Sequence, residues 1–143
     1  MILKKIHFAI DKTIKANASQ KALLKRYKNY PPHQSNVIAV IGGDGFMLET
    51  LKKYRKYKKP FYGMNQGTFG FLMNKFRTKN IMKSILKAKL IIISPLEMRA
   101  TTKNNVKKSA IAINEVSLFR ESRQAASLQI INKKKDVNKK INL

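Results

Sequence analysis

The chain contains no cysteine, no tryptophan and only two histidines. Without cysteine there is no disulfide scaffold and no thiolate metal site, and the composition suits a reducing compartment. His7 and His33 have no Cys, His or carboxylate at metal-ligand spacing, so both read as structural or surface residues. No apolar run approaches the roughly 20 residues that a membrane-spanning helix needs. Met1-Ile2-Leu3-Lys4-Lys5 leads directly into a strand-like segment, without a secretory apolar core or cleavage pattern. The expected location is the cytoplasm, with no membrane partner.

Acidic residues are also scarce: seven Asp and Glu stand against 31 Lys and Arg, a net charge of +24. Such a charge raises the possibility of a non-catalytic basic protein that binds nucleic acid. Against it, only six of the basic residues are Arg, the side chain most used to read base edges. The lysines are scattered, with short clusters at 52–59 and 133–140. Zinc-binding spacing and an RNP-type aromatic strand are both missing. Lys, Asn and Ile are abundant together, as in a general compositional bias. The charge therefore reads as a solvated lysine-rich surface that also draws in polyanions.

Glycine is sparse and clustered. Three of the six glycines fall at 42, 43 and 45, and none follows Gly70. Val37–Ile41 is an uninterrupted apolar, largely β-branched run, the pattern of a strand buried on both faces. It runs directly into Gly42-Gly43-Asp44-Gly45, and a helix-compatible segment, Phe46–Tyr57, follows. Glycines in that turn let backbone N–H groups approach an anion, and a helix start adds further donors. Asp44 is out of place in a phosphate-friendly loop unless it has a role, and proton acceptance is the natural one. The plain structural alternative is an Asx turn or helix cap. The loop lacks the Lys-Ser/Thr of a Walker A motif, and Leu48 breaks a G-x-G-x-x-G fingerprint. Gly-Gly-Asp-Gly resembles the signature of a kinase superfamily that includes NAD kinases, diacylglycerol and sphingosine kinases, and phosphofructokinases.

Two further segments narrow the resemblance. Residues 61–74 place a short strand, Phe61–Met64, before a turn formed by Asn65, Gly67 and Gly70, with Phe71-Leu72 expected to re-enter the core. Asn-x-Gly-x-x-Gly-Phe is similar to the second loop of NAD kinases. Residues 112–118 set Asn114-Glu115 inside an apolar run. In a strand, neighbours face opposite sides, so one of the pair is expected to point inward and to need partners. That pair resembles the NAD kinase segment that holds the substrate dinucleotide.

The resemblance covers about residues 36–131 and implies a phosphoryl transfer to the adenosine ribose of NAD. It casts Asp44 as the general base, and Asp44, Gly45, Asn114 and Glu115 as NAD-binding. Gly42 and Gly43 become the phosphate loop and Phe71 a pocket wall. ATP is the implied donor, with a divalent cation, Mg²⁺, on its phosphates but no metal-binding side chain identified. A homo-oligomer is implied as well. The rival within the superfamily is a diacylglycerol-type lipid kinase, against which the Asn65–Phe71 loop and the Asn114-Glu115 pair both argue. The family's Asp-Gly and Thr-Pro-x-Gly-Ser-Thr-Ala-Tyr segments have no counterpart here. The expectation is a partial chain that lacks the later part of the second domain.

The expected fold class is an α/β domain with a parallel sheet, followed by the first antiparallel strands of an incomplete all-β domain. Strands are expected at Ile6–Ile10, Val37–Ile41 and Phe61–Met64. Helices are expected at Ile14–Tyr30, Phe46–Tyr57 and Asn80–Lys89, with Ile81, Met82, Ile85 and Leu86 on one face. Leu90–Ile93 reads as a β-branched run. A meander of Glu97–Thr102, Val106–Leu118 and Ala125–Ile131 follows, with a hairpin turn at Lys103-Asn104-Asn105. The expected division is 1–90, 91–132, and a basic tail, 133–143, without ordered structure.

Overall fold

Five apolar residues in succession leave no face for water, so the strand that contains them has to lie in the middle of a sheet covered on both sides. In the computed structural model, which describes residues 5–68, 70–121, 127–132 and 135–142, this is what Val37–Gly42 does. It forms β2, and all six of its residues are buried. β1 (Ile6–Ile10) and β3 (Phe61–Asn65) flank it in parallel, and a two-residue strand β4 (Asn74–Lys75) lies outside β3. The parallel α/β sheet expected from the sequence is therefore present, with β4 as an unforeseen fourth strand.

The alternation along β2 separates two cores. Val37, Ala39 and Ile41 join Ile6, Phe8 and Met64 against α1 (Ile14–Leu24) and α3 (Ile81–Lys87), through Ala16, Leu23 and Ile81. Ile38 and Val40 join Ala9 against α2 (Asp44–Tyr54), through Met47. Side chains two apart share a face, so one strand serves both layers.

Several expected boundaries move. The first helix ends at Leu24 instead of Tyr30. Beyond it, Asn29 pairs with β1: its Oδ1 accepts Phe8 N–H at 2.9 Å, and Tyr30 N–H donates to Ile6 O at 3.0 Å. These bonds cover the free edge of β1, and residues held there cannot also stay helical. The second helix spans Asp44–Tyr54 and is followed by a 3₁₀ turn at Arg55–Tyr57. The third spans Ile81–Lys87; Ile81, Met82 and Ile85 pack inward, but Leu86 is exposed. Leu90–Ile93 is exposed and forms no strand.

β5 (Leu96–Thr101) and β6 (Lys107–Ala112) form an antiparallel hairpin. The expected turn closes it: Asn105 has a left-handed φ of 60°, and its N–H donates to Thr102 O at 2.9 Å. Asn accepts that backbone more readily than most residues. The chain divides into two compact units, Met1–Ile113 and Asn114–Leu143. In the second unit β7 (Ser127–Asn132) pairs antiparallel with β8 (Lys135–Asn142). Residues 135–140 are thus strand where no order was expected; ladder bonds between backbones need no apolar periodicity. Residues 125, 126, 133 and 134 lie outside the described residues.

Candidate active site

The parallel strands place their C-terminal ends along one edge of the sheet, the edge where open α/β sheets bind ligands. Gly42 at the end of β2 pairs with Asn65 at the end of β3, and Asn65 pairs with Lys75 at the end of β4. Gln66 N–H donates to Gly42 O at 2.8 Å and carries the ladder one residue further. Asp11, just after β1, donates its N–H to Ile41 O at 2.9 Å, so a second carboxylate-bearing residue flanks the edge.

Gly43 is the extended N-cap of α2, and Met47 N–H donates to its carbonyl at 3.0 Å. That bond closes the first turn earlier than the sequence suggests. Asp44 and Gly45 are therefore the first two helical residues and not part of a loop before Phe46. An acidic side chain in a first helical turn is favoured by the helix dipole. Asp44 is not the cap, however, and its carboxylate reaches elsewhere. Its Oδ2 accepts Phe71 N–H at 2.7 Å and its Oδ1 accepts Leu72 N–H at 3.1 Å. Hydrogen bonds to an ionised acceptor are among the stronger ones in proteins.

These contacts fasten the second glycine loop to the first. Asn65 Oδ1 accepts Gly67 N–H at 2.8 Å, tightening the turn after β3. A Cβ on Gly67 would lie 3.2 Å from Gly43 Cα. At Gly67 the space is tight enough that a side chain would have to push Gly43 back by a few tenths of an ångström, whereas a Cβ on Gly43 would make ordinary contact at 3.9 Å. Positive φ is not the reason, since no described glycine adopts it. Gly42 is likewise confined, with 2.9 Å from a Cβ to Phe46 Cδ1 and 3.0 Å to Asp11 Cβ.

Two expectations fail here. Phe71 and Leu72 do not re-enter the core: Phe71 is 100% exposed and Leu72 is 43% exposed. Their amides are turned toward Asp44, and their side chains project to solvent. Asn114 and Glu115 are not in a strand. β6 ends at Ala112, a bend follows at 113–114, and both side chains are exposed. Neither points into an apolar interior, so the burial argument for the pair does not apply. They belong to the second compact unit, whereas Gly42, Gly43, Asp44, Gly45 and Phe71 belong to the first. The Asp44–Phe71–Leu72 contact escapes sequence reasoning because it joins residues 27 and 28 positions apart. An Asp beside glycines gives no sign of which distant amides it will meet.

Among the described residues no three Asp, Glu or His side chains cluster as a metal site. Both oxygens of Asp44 already accept backbone hydrogens. No helix of the described residues is long and apolar enough to cross a membrane.

No protein-family model matches the sequence. Curated relatives do. A protein named NAD kinase from Brucella suis biovar 1 (strain 1330) is 43% identical over 125 residues, 87% of this chain and 49% of the relative. One from Rhizobium meliloti (strain 1021) is 46% identical over 119 residues, 81% of this chain and 46% of its own length. One from Rickettsia canadensis (strain McKiel) is 39% identical over 130 residues, 91% and 51% of the two chains. The chain spans about half the length of the curated relatives it matches.

Proposed function

Because the chain belongs to the NAD kinase family over the stretch it shares with these relatives, we propose that it carries the phosphate-handling half of an ATP-dependent NAD kinase. The reaction transfers the terminal phosphoryl group of ATP to the 2′-hydroxyl of the adenosine ribose of NAD. The hydroxyl oxygen bonds to phosphorus, the bond from phosphorus to the bridging oxygen breaks, and ADP and NADP result.

The observation that carries this proposal is Asp44 at the meeting point of two glycine loops on the C-terminal edge of a parallel sheet. A ribose hydroxyl is a poor nucleophile at neutral pH, and Asp44 is the group to take its proton. A carboxylate has about four acceptor positions. Two are used by Phe71 and Leu72 N–H, and the rest remain for a hydroxyl. The loop hydrogen bonds then act as positioning: they fix the direction of the carboxylate before substrate arrives.

Gly42 and Gly43 let the backbone approach phosphate, and Gly45 continues that surface into the first turn of α2. The exposed ring of Phe71 stands ready to wall an adenine. Asn114 and Glu115, exposed at the start of the second unit, are assigned to the adenosine half of NAD. Mg²⁺ is assigned to the donor, where phosphate oxygens and water satisfy its octahedral preference. It supplies charge neutralisation on those phosphates. Residues 1–90 are assigned to phosphate handling and 91–132 to the opening of a β-rich NAD-binding domain. This proposal favours a homo-oligomer by family resemblance and a cytoplasmic location, the latter in keeping with the cysteine-free composition.

Expression of a version extended to the length of the relatives, supplied with labelled ATP and either NAD or a diacylglycerol, tests the assignment. Label in NADP alone is expected. Label in the lipid, or in neither product from an active preparation, would remove it.

A further inference from the structure

We propose that the open groove after β4 is an oligophosphate-binding site, placed to hold the terminal phosphates of a phosphoryl donor. The word donor rests on the kinase assignment above; the binding of oligophosphate does not. The groove encloses about 400 Å³ and is lined by Lys75, Arg77, Thr78, Lys79, Asn80 and Ser84. Three cations, one guanidinium among them, line it together with two hydroxyls and an amide. This is a donor set suited to phosphate oxygens.

Three features set this cluster apart from the general lysine-rich surface. First, it has no counter-charge. No Asp or Glu occurs between Glu49 and Glu97, while twelve Lys and Arg do. Lys75, Arg77 and Lys79 have no carboxylate partner among the described residues, and what is particular to them is the length of acid-free sequence around them. Second, the local fold aims the cations outward together. Phe76 turns in to pack on the core shared with α1 and α3, while Lys75 and Arg77 on either side of it stay exposed. Asn80 holds a left-handed φ of 57° and leads into α3, whose first amide is already taken by Tyr27 Oη at 3.3 Å. Side chains, not helix amides, are what the groove offers. Third, Lys75 is in register with Asn65, and Asn65 with Gly42. Two strand spacings, about 10 Å, separate the groove's first cation from the glycine loop along one sheet edge. A phosphate chain lying along that edge runs from the groove toward Gly42 and Gly43.

Titration calorimetry of inorganic triphosphate into the full 143-residue chain, at one fixed salt concentration, tests the proposal. The variant K75Q/R77Q/K79Q is compared with K103Q/K107Q/K108Q, which removes the same charge from the β5–β6 hairpin. The groove variant is expected to bind at least about tenfold more weakly, the effect of losing one charge-assisted contact or more. The hairpin variant is expected to change less than about threefold, a screened long-range effect. Circular dichroism reports whether each variant is folded. Should the triple variant lose structure, the single substitution Arg77→Gln, with an expected loss of about fivefold, takes its place. Equal weakening in both charge variants would show attraction to net charge alone and overturn the site. So would undiminished binding in the groove variant. ATP is titrated in parallel: affinity equal to that of triphosphate identifies a free oligophosphate, tighter binding identifies a nucleotide, and either supports the groove. A polyuridine strand that binds far more tightly than triphosphate, and loses that affinity in the groove variant, would overturn the proposal in favour of nucleic acid. Triphosphate binding is read without turnover, so its failure is distinguishable from failure of the kinase assignment.

Discussion

The Oδ2 of Asp44 accepts the backbone N–H of Phe71 at 2.7 Å, across 27 residues of sequence. With the Leu72 N–H on the other oxygen at 3.1 Å, one carboxylate ties the start of α2 to the loop beyond β3. The same residue is the proposed proton acceptor, so its structural and chemical roles have to be separated by experiment.

Asp44→Asn does this. The amide keeps one acceptor oxygen but turns N–H toward the second loop donor. The 71–72 segment should loosen, at a cost of about 0.5–1.5 kcal/mol, because the freed N–H at this exposed site can turn to water. Hydrogen exchange at the Phe71 and Leu72 amides should accelerate. In a version extended to the relatives' length, NADP formation should fall about 10²- to 10⁴-fold. Faster exchange with turnover intact would leave Asp44 a purely structural clamp.

Gly67→Ala tests the backbone contact beneath the clamp. The added methyl would sit 3.2 Å from Gly43 Cα, with Asn65 Oδ1 at 3.4 Å. A backbone cannot move aside as the end of a side chain does, so the two glycine loops should separate. Overpacking of this kind costs about 1–3 kcal/mol. Urea unfolding should show it, and a midpoint equal to that of the parent would mean that the contact yields freely.

Asn29→Ala removes the cover on the β1 edge. Its Oδ1 accepts Phe8 N–H at 2.9 Å and its Nδ2 donates to Phe8 O at 3.4 Å. Stability should drop by about 1–2 kcal/mol, because the backbone groups left behind are only partly reached by water. Thermal unfolding of the variant should show a lowered midpoint together with faster exchange at the Phe8 amide; unchanged exchange there would refute the edge-capping role.

His7 gives the fold a pH dependence. Its Nδ1 lies 2.8 Å from Tyr30 O and acts as donor there, its ring meets Tyr54 edge-on at 5.2 Å, and its Nε2 is buried without a partner. Burial holds its pKa below the ordinary 6.5; the hydrogen bond to Tyr30 opposes that and nearby Lys53 adds to it. The unfolded chain therefore takes up a proton at a higher pH than the folded one. The contribution of His7 is fully present above about pH 6.5 and is lost as pH falls from there through the lower folded value. Denaturation midpoints should decline over that window, and His7→Asn should flatten the decline. An equally steep decline in the variant would transfer the effect to other groups.

The sequence by itself determined the first three strands of the sheet and their order along the chain, but not β4. Val37–Ile41 has no polar residue, so it had to be a central strand, which runs on through Gly42 to the helix cap at Gly43. The β5–β6 hairpin turn was equally legible, because Asn105 carries its own backbone preference. These signals are local: composition, periodicity and turn chemistry act within a few residues. What the sequence left open depends on partners far along the chain. The first helix stops at Leu24 because Asn29 is claimed by Phe8. Phe71 faces water because Asp44 holds its amide. Asn114 and Glu115, apolar on both sides in sequence, fall past the end of β6 and stay exposed. Where hydrogen bonds across tens of residues compete with local preference, only the tertiary structure decides, since the partner that a backbone group meets is brought to it by the assembled fold.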